Sequence, residues 1–201
     1  AGRQFDPEIL GLFPETVCQT IPAMFDLETA RSQILEQSRA LDHESVALGE
    51  AQERYAAKDI FAIVSLPGFD NSAMDGYAVR SEELKGAHPD SPVTLRCTGS
   101  IPSGEPGLPL VAPATCARIF TGSQMPEGAD AVIMQEDCRI SDDQGEAIHC
   151  LDSVRPWENV RMTGEDVRQG ALILSRGSRI TPGRVALLAA TGHATVPVGV
   201  K

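Results

Sequence analysis

The rhythm of apolar and polar positions changes three times along the chain. Leu27, Ala30, Ile34, Leu35 and Leu41 recur at helical spacing, which predicts an amphipathic, core-packing helix from Leu27 to Leu41. Asp26 stands before it as an N-cap, and Glu28 sits in its first turn, where a carboxylate favours helix initiation. Glu44 to Leu48 reads as a short strand, Gly49 to Ala57 as a short helix, and Asp59 to Ser65 as a β-rich run. Between Tyr77 and Arg155 the apolar runs shorten: Val93-Thr94-Leu95, Ala117-Arg118-Ile119-Phe120 and Ala131-Val132-Ile133-Met134, separated by Gly and Pro. Short strands at this spacing predict a small barrel or sandwich. Ser141 to Gly145 reads as a hairpin turn between Glu136–Ile140 and Ala147–Cys150. After Pro156 the texture mixes again. Ala171 to Leu174 is a strand, Thr181-Pro182 opens a helix to Ala190, Gly192 stops it, and Thr195 to Val198 is a last strand.

The pattern predicts an α+β chain. Residues 25–76 and 156–201 form a discontinuous first domain, 77–155 form an inserted β-rich, barrel-like second domain, and 1–24 form an extended N-terminal arm with Pro7, Pro14 and Pro22.

Composition narrows the function classes. Of 201 residues, 42% are hydrophobic, enough for a core, and only 4% are aromatic, which argues against a base-stacking nucleic-acid platform. A formal net charge of -11 repels polyanions and acidic membranes, so no nucleic-acid or membrane partner is expected. A small anion held locally by a few donors remains compatible with that charge. Cys18, Cys97, Cys116, Cys138 and Cys150 are widely spaced, with no CxxC pair, and read as reduced cytoplasmic thiols. His43, His88, His149 and His193 are scattered and receive no ligand role. Dinucleotide, P-loop, nucleophile-elbow and zinc-protease templates are missing.

Three segments hold the chemistry-bearing residues. Leu66 to Arg80 packs Pro67-Gly68, then Asp70, Asn71, Ser72 and Asp75-Gly76 into one polar loop between strands. Its carboxylates suit Mg²⁺ or proton transfer, its hydroxyl and N–H groups an oxyanion, and the whole suits an ordinary turn. Ile119 to Asp130 ends a strand on Thr121-Gly122-Ser123, which fits an oxyanion cradle or a surface loop. Asn159 to Asp166 offers the Arg161 fork with Glu165 and Asp166, which fits phosphate or molybdate binding or a solvated ion pair.

In this order, the three segments resemble the molybdopterin molybdenumtransferases, the MoeA and gephyrin E-domain family, and the likeness runs from Asp26 to Val198. The resemblance implies insertion of molybdate-derived molybdenum into adenylylated molybdopterin, with Mg²⁺-dependent release of AMP. It assigns catalytic roles to Asp75, Thr121 and Asp166, and substrate contacts to Asn71, Ser72, Gly122 and Arg161. It also makes Asp75 and Asp166 candidate Mg²⁺ ligands. It further implies a cytoplasmic homodimer, with other molybdenum cofactor biosynthesis proteins as candidate partners. In the family the site lies between the second domain of one subunit and the third domain of the other. The chain reaches Lys201 where that third, molybdopterin-binding domain is expected to begin, so the likeness is to the first two domains. The alternative function is a non-catalytic dimerisation scaffold of the gephyrin kind.

Overall fold

A computed structural model describes residues 26–37, 42–104, 110–140 and 146–200. The described residues form mostly strands, with two α-helices. The expected arm over residues 1–24 and the hairpin turn over 141–145 lie outside them.

Residues 1–42 and 43–201 are separate compact units. In the first, α1 spans Leu27–Gln37. Asp26 caps it: Oδ1 accepts the Thr29 N–H at 2.9 Å and Oδ2 the Thr29 hydroxyl at 2.8 Å. Those bonds hold the Asp26 carboxyl below its ordinary value, the backbone bond contributing most. No residue of α1 is buried, contrary to the expected core-packing role. A helical apolar stripe specifies a face to be covered, not the partner that covers it.

In the second unit, six strands form one sheet in the order β7-β4-β6-β5-β9-β8. These are β4 (Gly76–Val79), β5 (Val93–Ile101), β6 (Thr115–Ile119), β7 (Ala131–Met134), β8 (Cys138–Ile140) and β9 (Ala147–Cys150). The two edge strands, β7 and β8, are joined by a single 3-10 turn, Gln135–Asp137. In a flat sheet, edges five spacings apart would be roughly 24 Å apart. The short link reaches only about 14 Å. The sheet therefore curls until its edges approach. Its interior takes Tyr77, Leu95, Cys116, Ile133, Ile148 and Cys150, with the partly buried Cys138. The outer face of β4, β6 and β7 is also covered: Ala78, Ala117, Ile119 and Val132 pack with Ile101 and Val111.

The four described cysteines are free thiols inside this sheet. Cys97 stands in register with Cys116, and Cys138 with Cys150. The bond with Cys116 brings the Cys97 thiol down to about 6 and pushes Cys116 up.

Three antiparallel two-stranded ribbons complete the unit. β1 (His43–Ala47) pairs with β12 (Thr195–Gly199), β2 (Ile60–Phe61) with β11 (Leu172–Leu174), and β3 (Asn71–Ser72) with β10 (Val160–Arg161). Helix α2, Pro182–Ala190, starts at Thr181 as expected, although the Thr181 hydroxyl makes no cap bond. Leu188 of α2 packs with Leu48, Ile60, Ile180, Val196 and Val198 in a second core.

Two local expectations change. The helix over Gly49 to Ala57 shrinks to one 3-10 turn, Leu48–Glu50. Ala56 donates to Ser178 O at 2.9 Å and Gly199 donates to Tyr55 O at 3.1 Å, so long-range pairing overrides the local helical pattern. The run Asp59 to Ser65 contributes only two strand residues, because Ile63 and Val64 both donate to Thr191 O instead. Among the described residues no helix is long and apolar enough to cross a membrane.

Candidate active site

Strand register decides where the first motif places its carboxylates. β4 pairs with β6 so that Gly76 faces Ile119. Asp75 therefore lies just before one strand, and Thr121 just beyond the end of its neighbour. Asp75 Oδ1 accepts both the Thr121 N–H and the Thr121 hydroxyl, each at 2.8 Å. Gly76 is required beside it: a Cβ there would fall 2.0 Å from the Ile133 carbonyl oxygen. The two Thr121 bonds, backbone first, hold the Asp75 carboxyl below its ordinary value, and the Arg118 charge adds to the effect. Asp75 is exposed, and its Oδ2 accepts no hydrogen bond among the described residues.

Arg118 was not singled out from the sequence. Its guanidinium carbon lies 5.1 Å from the Tyr77 ring centroid and 5.0 Å from that of Phe120. Its amino groups donate to Gly76 O at 3.3 Å and to Gln135 Oε1 at 2.5 Å. The available signal was an arginine inside an apolar strand.

Asn71 and Ser72 are buried, and their side chains bond to the loop itself. Asn71 Nδ2 donates to Phe69 O at 3.1 Å, and the Ser72 hydroxyl donates to Met74 O at 2.5 Å. Gly122, with φ +82°, donates its N–H to Ser72 O at 2.8 Å, and Ser72 N–H donates to Ser123 O at 3.0 Å. The first and second motifs are thus stitched together.

The third motif joins the first by a different route. Arg161 faces Asn71 across the β3–β10 ribbon. One step beyond, Asp70 Oδ1 accepts the Thr163 N–H and hydroxyl, both at 2.7 Å. Those bonds, backbone first, lower the Asp70 carboxyl as well. The Arg161 guanidinium is paired: it donates to Asp166 Oδ2 at 2.6 Å, which raises its proton affinity.

Asp75 and Asp166 thus belong to separate bonded pairs. Among the described residues no group of three or more His, Cys, Asp or Glu could hold a metal ion. A Mg²⁺ caged by these side chains does not fit. Asp75 Oδ2 fits only as a single carboxylate toward an ion that substrate phosphates also bind.

Residues 25–192 match the family model described as MoeA N-terminal region (domain I and II). The chain belongs to the MoeA N-terminal region family. It is 40% identical over 174 residues to a molybdopterin molybdenumtransferase of Haemophilus influenzae, covering 86% of this chain and 41% of that protein. A Mycobacterium tuberculosis protein, molybdopterin molybdenumtransferase 2, is 39% identical over 165 residues, covering 82% and 40%. The crystal structure of a molybdopterin biosynthesis MoeA protein from Pyrococcus horikoshii OT3 superposes with a TM-score of 0.74 at 39% identity, covering 80% and 41%. This MoeA N-terminal chain spans about two fifths of the length of the curated relatives it matches.

Proposed function

We propose that this chain is the N-terminal part of an enzyme that inserts molybdate-derived molybdenum into adenylylated molybdopterin and releases AMP. The carrying observation is the Asp75–Thr121 pair. A charged, exposed carboxylate is fixed through one oxygen and leaves the other open, at the end of a strand held rigidly in the curled sheet. The relatives' names supply the reaction class.

In this reading Asp75 Oδ2 holds or moves a proton as molybdate oxygens leave, because dithiolene sulfurs can replace oxo groups only if those oxygens are protonated. The Thr121 bonds hold the Asp75 carboxyl below its ordinary value and fix its orientation. Arg161 and Asp166 act as a pair that a substrate anion must open to reach the guanidinium. Gly122, Asn71 and Ser72 contribute by holding the loop in shape. Mg²⁺, if carried on substrate phosphates, would neutralise pyrophosphate charge, with Asp75 as its single protein carboxylate.

The two-domain division remains part of the proposal. The pairing of β1, β2 and β3 with β12, β11 and β10 supports the discontinuous first domain. A homodimer in the cytoplasm, working with small anionic substrates, follows from the resemblance, and the free thiols are in keeping with a reducing compartment.

The test is a chimera in which this chain replaces the matching two fifths of the Haemophilus influenzae relative. Molybdate-dependent formation of molybdenum-loaded cofactor is the expected result. A folded, dimeric chimera with no such activity would sink the enzymatic reading and favour the scaffold.

A further inference from the structure

We infer that the open cavity beside Asp75, walled by Arg118 and Arg139, is a subsite for the phosphate group of a phosphate ester. The inference rests on the molybdenum-transfer reading in placing that group next to Asp75.

The cavity has a volume of about 720 Å³ and is lined by Tyr77, Arg118, Gln135, Cys138, Arg139 and Ile140. Its lining holds two arginines and no carboxylate, in a chain whose net charge is -11. Arg31, Arg54, Arg80, Arg155, Arg161 and Arg179 each have an acidic partner, whereas Arg118 and Arg139, like Arg96, Arg168, Arg176 and Arg184 elsewhere on the surface, have none at ion-pair distance among the described residues.

Arg118 is half-buried and held in place by its two ring contacts and its bonds to Gly76 O and Gln135 Oε1. A guanidinium carries five N–H donors, and these bonds use only part of that set. A planar donor fork fixed before binding suits phosphate oxygens. The Cys138 thiol on the cavity wall is pushed up by its bond with Cys150.

Asp75 connects the cavity to the proposed chemistry. It feels the Arg118 charge, and its carbonyl accepts the Gln135 N–H at 3.1 Å. The volume leaves room for more than a bare oxyanion. A bare oxyanion fills only a fraction of it, while small organic ligands occupy pockets of about 300–1,000 Å³. Tyr77 and Ile140 supply apolar wall for the organic part.

The experiment is calorimetric titration of the 201-residue chain at low salt with phenyl phosphate and, separately, with inorganic phosphate. Saturable binding of phenyl phosphate is expected, tighter than that of inorganic phosphate. Arg139→Gln, on an exposed side chain, should weaken it about tenfold, and Arg118→Gln at least as much. Arg176→Gln, which removes the same charge outside the cavity, should leave it unchanged. Absence of saturable binding, equal loss with Arg176→Gln, or no loss with Arg139→Gln would overturn the subsite. Equally tight inorganic phosphate would overturn the ester assignment. Asp75→Asn should keep phenyl phosphate binding. If that variant is also fully active in the chimera, the molybdenum-transfer reading fails while the subsite stands.

Discussion

Asp70 and Asp75 meet their threonines by the same construction. Each precedes a short strand, and each accepts the N–H and hydroxyl of a threonine two residues past the position paired with that strand's first residue. Asp130 repeats the arrangement with Ser81 across β7 and β4. There the two bonds go to different oxygens, at 2.6 Å to Oδ1 and 2.7 Å to Oδ2, so both oxygens are engaged. The hydrogen bonds alone are therefore a device for ending a strand pair. Surroundings separate the three. Asp130 is half-buried against a buried Ser81. Asp70 borders a cavity with Glu127, Phe69 and Trp157 and no cationic side chain. Asp75, which like Asp70 keeps its second oxygen free of these bonds, is exposed and stands beside Arg118. That difference is why Asp75, and not its twin, is assigned the chemistry.

The sharpest way to break the comparison is to neutralise both twins in the chimera. Asp75→Asn should lower product formation on the order of 10²–10⁴-fold, the usual loss for a positioned acid–base group. Asp70→Asn should lower it less than about tenfold, because an amide oxygen still accepts both Thr163 bonds. Equal losses would erase the distinction. Next in size is Asp130→Ala, which leaves the Ser81 N–H and hydroxyl unsatisfied. Stability measured by urea unfolding should fall by about 1–3 kcal/mol, with activity per folded molecule preserved. Thr121→Ala removes one hydroxyl donor and should reduce molybdate use roughly fivefold at low molybdate, while Thr163→Ala changes it less. The smallest effect is on pH. Both twins have folded values below the ordinary 3.8. Their contribution to stability is complete above that value and is lost as pH falls through the lower folded values. The melting difference between the parent chain and an Asp70→Ala, Asp75→Ala variant should therefore be constant above about pH 5 and shrink below pH 4. A difference that grows on acidification would reverse the sign and contradict the bond assignment.

What could be read in advance follows from the physics of each element. Runs of alternating or purely apolar residues announced β1, β7, β9 and β12, and proline and glycine punctuation announced α2. The two-residue strands β2, β3 and β10 carry no periodicity and exist only through their partners. Gly49 to Ala57 looked helical locally, but Tyr55 and Ala56 bridge to Arg179 and Val198 far along the chain. Of the site, Asp75 and Thr121 were legible as motif positions. Their bond was not, because it depends on register. The same holds for Thr163 as the partner of Asp70. Arg161 and Asp166 were legible as residue types, yet their pairing with each other emerges only from the turn geometry.

The central claim is that Asp75 acts in the chemistry and not only as a strand-end staple. Its most direct test is product formation by the chimera against molybdate concentration, for Asp75→Asn beside Thr121→Ala, with thermal melting of each. Asp75→Asn should stay low at every molybdate concentration with its melting nearly unchanged, while Thr121→Ala should approach the parent at high molybdate. Loss of activity in both variants in proportion to unfolding, or parental activity in Asp75→Asn, would contradict it.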